Sequence, residues 1–192
     1  MKRLKLLLFF ILLVSLSHGQ EKISNLSEAA ISIIKDKVVY DPSYFSIPFP
    51  NGDVPSDKGV CTDVIIRSYR KLGIDLQKLV HEDMKANFSL YPKIWGLKRT
   101  DTNIDHRRVP NLMVFFKRKG ISKKITKNTS DYVQGDIVCW NLHGGVTHIG
   151  IVVNKKSKDG KRNLIVHNIG SGQVIEDCLF DFKIIGHYRY PN

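Results

Sequence analysis

The chain has 192 residues, 42% of them hydrophobic, 25% charged and 9% aromatic, the composition of a globular domain and not of a disordered or collagen-like chain. Lys and Arg number 30 against 18 Asp and Glu, and the net charge of +12 favours acidic polymers or anionic surfaces as partners. Three cysteines without a Cys-x-x-Cys pair exclude a disulfide scaffold, a zinc ribbon and a thioredoxin-type site.

Residues 1–19 read as an export signal: Lys2, Arg3 and Lys5 precede an apolar run over 6–16, and the small residues Ser17 and Gly19 mark a cleavage site. The run is shorter than the roughly 20 residues that span a bilayer core. Its removal takes away basic residues and no acidic one, so the basic character belongs to the exported domain, expected over residues 20–192. No integral membrane span is expected after removal, and the expected location is periplasmic or secreted. There an odd cysteine count leaves at least one of Cys61, Cys139 and Cys178 unpaired, or pairs it between chains.

Leu26, Ala29, Ala30, Ile33 and Ile34 have helical spacing and predict a first helix over 24–37. Residues 39–60 are rich in Pro, Gly and Asp and predict a long ordered loop. A helix is then predicted over 61–72, with Cys61 at its start, Val64, Ile65, Ser68 and Tyr69 on one stripe, and Gly73 as its stop. Residues 76–88 repeat the pattern, and Pro110 opens a further helix running to Gly120. The basic stretch 117–127 reads as a solvated linker. After Gly135-Asp136 the texture changes to short β-rich runs at 137–140, 148–153, 164–167 and 184–190. Helices followed by a meandering antiparallel sheet predict an α+β fold.

One constellation carries chemistry. A cysteine at a helix start faces unpaired N–H groups and the positive end of the macrodipole, which favour the attacking thiolate. Such a nucleophile needs a histidine to take its proton, and His148 opens an apolar strand. A third polar group must orient that imidazole, and His167 with Asn168 closes the next strand. Taken singly, a helix-start cysteine is most often a small buried hydrophobe and a strand histidine a satisfied core residue. The ordered combination is harder to obtain by accident.

The order Cys61, Gly135-Asp-Ile-Val, His148-Ile-Gly-Ile-Val and Val166-His167 resembles the NlpC-type and CHAP-type branches of the papain-like cysteine peptidases. A second resemblance covers nearly all of the exported part. The runs Gly52-Asp-Val-Pro, Gly59-Val-Cys-Thr-Asp, Asn103-Ile-Asp-His-Arg-Arg-Val-Pro-Asn, Val166-His-Asn-Ile-Gly and Gly186-His-Tyr-Arg-Tyr resemble the bacterial family catalogued as domain of unknown function 1287. What the resemblance implies is a papain-like α+β fold with Cys61 as nucleophile, His148 as general base and acid, and His167 as orienting residue, with Asn168 the alternative. Val60-Cys61-Thr62 stands where the NlpC-type branch usually has Asp-Cys-Ser.

The expected activity is therefore Cys-His acyl transfer on an amide bond, and peptidoglycan or another anionic envelope polymer is the expected partner. No nucleic acid partner, cofactor or metal is expected, and the chain is read as a monomer. Asp105, His106, Arg107 and Arg108 read either as a carboxylate-binding edge of the cleft or as an internal ion-pair cluster bracing the loop before Pro110. His143 would line the cleft beside His148, and Asp53 and Asp63 would cap the start of the Cys61 helix. Two rival readings remain: a zinc hydrolase using Cys139, His143, His148 and His167, and a non-enzymatic wall-binding module, which a buried Cys61 would favour. Cys61 is expected to be the cysteine with a lowered pKa and solvent access.

Overall fold

The structure, a computed structural model, describes residues 26–190. The export signal expected over 1–19 and the start of the first helix lie outside the described residues. Helix α1 runs through residues 26–33 and buries Leu26, Ala30 and Ile33, the residues whose spacing predicts it. Helix α2 spans Cys61–Lys71 and ends before Gly73, whose φ of +76° suits a residue without a side chain. Helix α3 spans Leu76–Ala86, capped by Asp75. Helix α4 spans Val109–Lys119 and carries Pro110 in its first turn, where a missing N–H costs nothing.

Among the described residues eight strands follow in chain order. β1 (Val39–Tyr40) and β2 (Lys58–Gly59) make a short parallel pair that closes the 39–60 loop on itself. The loop is anchored from outside by Gln77, which accepts from Gly52 N and donates to the carbonyls of Pro48 and Thr102. Residues β3 (Ile121–Ser122), β4 (Ile137–Asn141), β5 (Thr147–Lys156), β6 (Asn163–His167), β7 (Val174–Glu176) and β8 (Lys183–Arg189) build a six-stranded antiparallel sheet in the order β3-β8-β4-β5-β6-β7. The molecule is thus α+β, as its sequence pattern predicts. The stretch 117–127 is not the solvated linker that its charge suggests, because α4 continues into it and Ile121 and Ser122 pair with β8.

Alternation along the strands divides the apolar residues between two faces. Ile137, Cys139, Ile149, Ile151, Val153 and Val166 face the helices and join Cys61, Val64, Ile65, Leu112 and Phe116 in the larger core. Val138, Trp140, Val152 and Ile165 form a second cluster with Tyr132 and Leu179 on the other face. No helix among the described residues is long and apolar enough to cross a membrane.

Candidate functional site

Cys61 is the first residue of α2, and its side chain belongs to the larger core, with only 7% of the residue exposed. Val60 offers no side-chain cap, so Asp63 reaches back and accepts from Val60 N at 2.7 Å, the capping role expected of it. Asp63 is in turn held by Arg107, Nε 3.0 Å from Oδ1, in an ion pair whose side chains are 2% and 3% exposed.

Strand geometry explains where the Cys61 sulfur lies. Val152 N donates to Asp136 O on the β4 side, so the alternating N–H of Ile149 points toward the β6 side. Pairing of β5 with β6 ends at Ile151 and Val166, which leaves Ile149 N–H without a strand partner. Cys61 lies beside that gap, where the backbone N–H groups of Ile149, Thr62 and Cys61 favour its thiolate form. Burial pushes the thiol up to about 12 despite these donors, and the Asp63 carboxylate adds to the rise. The expectation of a lowered pKa with solvent access is corrected: desolvation outweighs the helix-start donors.

His148 is the residue before Ile149, and its ring turns to the opposite sheet face, where it lies 5.8 Å from the ring of its cross-strand partner Trp140. His148 Nε2 lies 2.9 Å from His167 Nδ1, and His167 Nε2 lies 3.0 Å from Glu176 Oε2. Gly150 makes this approach possible, because a Cβ there would meet Ile165 Cγ2 at 2.7 Å and His167 Cβ at 3.2 Å. A carboxylate only accepts, so with Glu176 as acceptor His167 carries its proton on Nε2 and receives the His148 Nε2–H on Nδ1. His148 Nδ1 is then left with its lone pair. Burial, helped by the neighbouring His167, pulls His148 down to about 3, and burial likewise lowers His167.

The structure therefore brings Cys61, His148 and His167 into one neighbourhood but does not join them as expected. Among the described residues no hydrogen bond links the thiol to His148, because the imidazole is turned to the Trp140 face. Asn168 does not orient an imidazole: its amide donates to Gly59 O at 3.3 Å and ties the end of β6 to the approach to Cys61. Glu176, the outer member of the chain, is absent from the sequence reading.

The cleft-edge reading of Asp105, His106 and Arg107 is corrected as well. All three are buried, and Arg107 also donates to Ser43 O at 3.1 Å, so the internal cluster is what forms. Burial beside Arg107 and Arg70 pulls His106 down to about 3. Arg108 lies over the Trp95 ring at 4.1 Å, 3.5 Å from Asp105. His143 sits in an exposed turn at φ +89° with its ring beside Phe182. Asp53 does not cap α2 at Cys61 but binds Arg67 and Arg70 further along that helix. The zinc set built on Cys139 is not assembled, since Cys139 faces the helices while His148 faces away. All three cysteines are free thiols.

The domain described as Domain of unknown function (DUF1287) matches residues 27–190, which takes in every element of this site. The chain belongs to the DUF1287 family. It is also 50% identical over 165 residues to the Uncharacterized protein YijF of Escherichia coli (strain K12), covering 86% of this chain and 80% of that protein. Membership in DUF1287 spans the helix that starts with Cys61 and both strands that carry the histidines.

Proposed function

We propose that this DUF1287 protein is a cysteine hydrolase on a papain-like scaffold, with Cys61 as nucleophile, His148 as general base and acid, His167 as orienting residue and Glu176 as the group that sets the tautomers. The observation that carries this reading is the chain Glu176–His167–His148, with links of 3.0 and 2.9 Å, which ends one residue from Ile149, whose backbone N–H favours the Cys61 thiolate. His148 Nδ1 takes the thiol proton as sulfur attacks the substrate carbonyl carbon, and the N–H groups around the sulfur hold the developing charge. The tetrahedral intermediate collapses, His148 returns the proton to the leaving amine, and a thioester remains. Water then attacks the thioester, His148 takes a proton from it, and the acid departs as the thiol is restored.

At rest both partners are neutral, because burial raises the thiol to about 12 and lowers the imidazole to about 3. Proton transfer is therefore tied to substrate arrival, which must turn His148 and the thiol toward each other. The signal-like residues 1–19 support export, and the basic excess that remains without them supports an anionic envelope polymer, with amide bonds of peptidoglycan stem peptides as the substrate class.

The buried thiol favours a second reading, a wall-binding module that has kept a hydrolase scaffold. Digestion of purified peptidoglycan by residues 20–192 and by the Cys61→Ala variant, followed by mass analysis of fragments, separates the two. Cleavage that disappears with the thiol is the expected result. Equal wall binding by both proteins with no cleavage by either would establish the module instead.

A further inference from the structure

Beyond the thiol site, the outer edge of the sheet gathers three groups of metal-ligand chemistry. His167 closes β6, Glu176 closes β7, and Cys178 follows two residues later in the same chain direction. Cys178 Sγ lies 3.5 Å from His167 Nε2, Glu176 Oε2 lies 3.0 Å from the same nitrogen, and all three ligand atoms fall within 4.8 Å of one another. Bond lengths to a tetrahedral Zn2+ place N and S ligands about 3.5 Å apart and N and O ligands about 3.3 Å apart. These side chains stand nearly at that spacing already, and pairing of His167 with Val174 fixes the two strands that bear them.

We propose that His167 Nε2, a Glu176 carboxylate oxygen and Cys178 Sγ form a binding site for a borderline divalent transition-metal ion of the Zn2+ class, with a fourth position open to water. Imidazole, carboxylate and thiolate together suit Zn2+ and not Mg2+ or Ca2+, which take oxygen ligands. The two anionic ligands balance the ion's charge. His148 supplies the outer support, because its Nε2 faces His167 Nδ1 at 2.9 Å, the hydrogen bond that orients a ligating histidine. The half-exposed Glu176 side chain and the partly exposed Cys178 leave a route for the ion from solvent.

Occupation has a consequence for His148. The Cys178 thiol proton leaves to solvent. The proton on His167 Nε2 is displaced, His167 now carries its proton on Nδ1 and donates to His148 Nε2, and His148 takes its own proton on Nδ1. The lone pair that would accept the Cys61 proton is gone, so metal would silence the hydrolase; this consequence, unlike the site, rests on the function proposed above.

The test uses residues 20–192 freed of metal, with Co2+ as a coloured substitute and Zn2+ in competition with a chromophoric chelator. The expected result is one ion per chain, four-coordinate visible bands and a thiolate-to-cobalt charge-transfer band. That band disappears in Cys178→Ser and persists in Cys61→Ser. Glu176→Gln, a change at a half-exposed position, weakens Zn2+ at least tenfold, within the range that even outer-shell changes reach. Absence of stoichiometric binding, a six-coordinate spectrum without charge transfer, or a charge-transfer band that follows Cys61 would each overturn the site. Binding is read without activity, so a chain that binds Zn2+ yet cleaves nothing would refute the proposed reaction and leave the site standing.

Discussion

Two histidine clusters lie on the same face of the sheet, one strand pair apart, and they are built on opposite plans. His187 is the β8 partner of Val138, and His148 is the β5 partner of Trp140 two residues along the same strand. In the first cluster the His187 Nε2 to Asp136 Oδ2 distance is 2.8 Å, with both side chains fully buried. Asp136 also accepts from Arg189 Nε at 2.8 Å and from Val133 N at 3.0 Å, while Tyr132 stacks on the His187 ring at 4.3 Å. Both His187 nitrogens face acceptors, since Nδ1 lies 3.3 Å from Lys124 O. The second cluster has a carboxylate that is half exposed, an imidazole nitrogen of His148 with no hydrogen bond among the described residues, and the Cys178 thiol 3.5 Å from His167 Nε2. A cluster with every atom engaged can only hold the fold, whereas one with an open nitrogen and an outer acid can move a proton.

The largest effect should come from breaking the closed cluster. Asp136→Ala leaves His187, Arg189 and Val133 N without their acceptor, and loss of one partner of a buried charged network costs about 3–5 kcal/mol. Thermal melting should fall on the order of 10 °C for a chain of this size. A melting point within a degree or two of the parent would remove the distinction between the clusters.

The open cluster should show itself through acid. His148 is held near 3 by burial and by His167, against an ordinary 6.5. The stability that comes from burying it neutral is complete above about pH 6.5 and is lost as pH falls toward 3, because the unfolded chain takes a proton that the folded chain refuses. Each such group contributes a slope of about 1.4 kcal/mol per pH unit in that window. Urea denaturation between pH 7 and 4 should therefore be less steeply pH-dependent for His148→Gln, with buried His106 contributing equally to both proteins. Identical slopes would mean that His148 is already protonated in the fold.

The contrast also marks how far the sequence can be read. Helices α2, α3 and α4 follow from apolar spacing and from Gly73 and Pro110, which act locally, and the four longer strands follow from alternation. The pairing of His148 with His167 is legible because consecutive strands bring their ends together, whereas the expected link of His148 to the Cys61 thiol is not formed. Glu176 is not, because β7 has three residues and its place beside His167 depends on hairpin register. Arg107 is legible only in part: its setting reads either as a cleft edge or as an internal ion-pair cluster, and only packing reveals the Asp63 carboxylate that takes it inside. The Cys61 thiol misleads because helix position reports the donors around sulfur and says nothing of the burial that outweighs them.

The smallest change in stability, and the sharpest division between the clusters, belongs to Glu176→Gln. Glu176 is half exposed, so its pair with His167 is worth less than about 1 kcal/mol to the fold, and melting should barely move. The amide can donate as well as accept, so it no longer forces the His167 proton onto Nε2, and it lacks the charge that makes such hydrogen bonds roughly twice as strong. A lone pair on His148 Nδ1 becomes only one of two tautomeric outcomes. In chelator, the second-order rate of Cys61 alkylation by iodoacetamide should fall at neutral pH, by less than the roughly 100-fold or more that loss of a whole base contribution brings, because the productive tautomer is still one of the two. Cys178, whose thiol burial and neighbouring carboxylates raise to about 12, must be replaced by serine in both proteins, and the label mapped by peptide mass, so that Cys61 is counted apart from the remaining thiol of Cys139. An unchanged rate would make Glu176 a surface acid with no hold on His148, and a large fall in melting temperature would make it a brace of the same kind as Asp136.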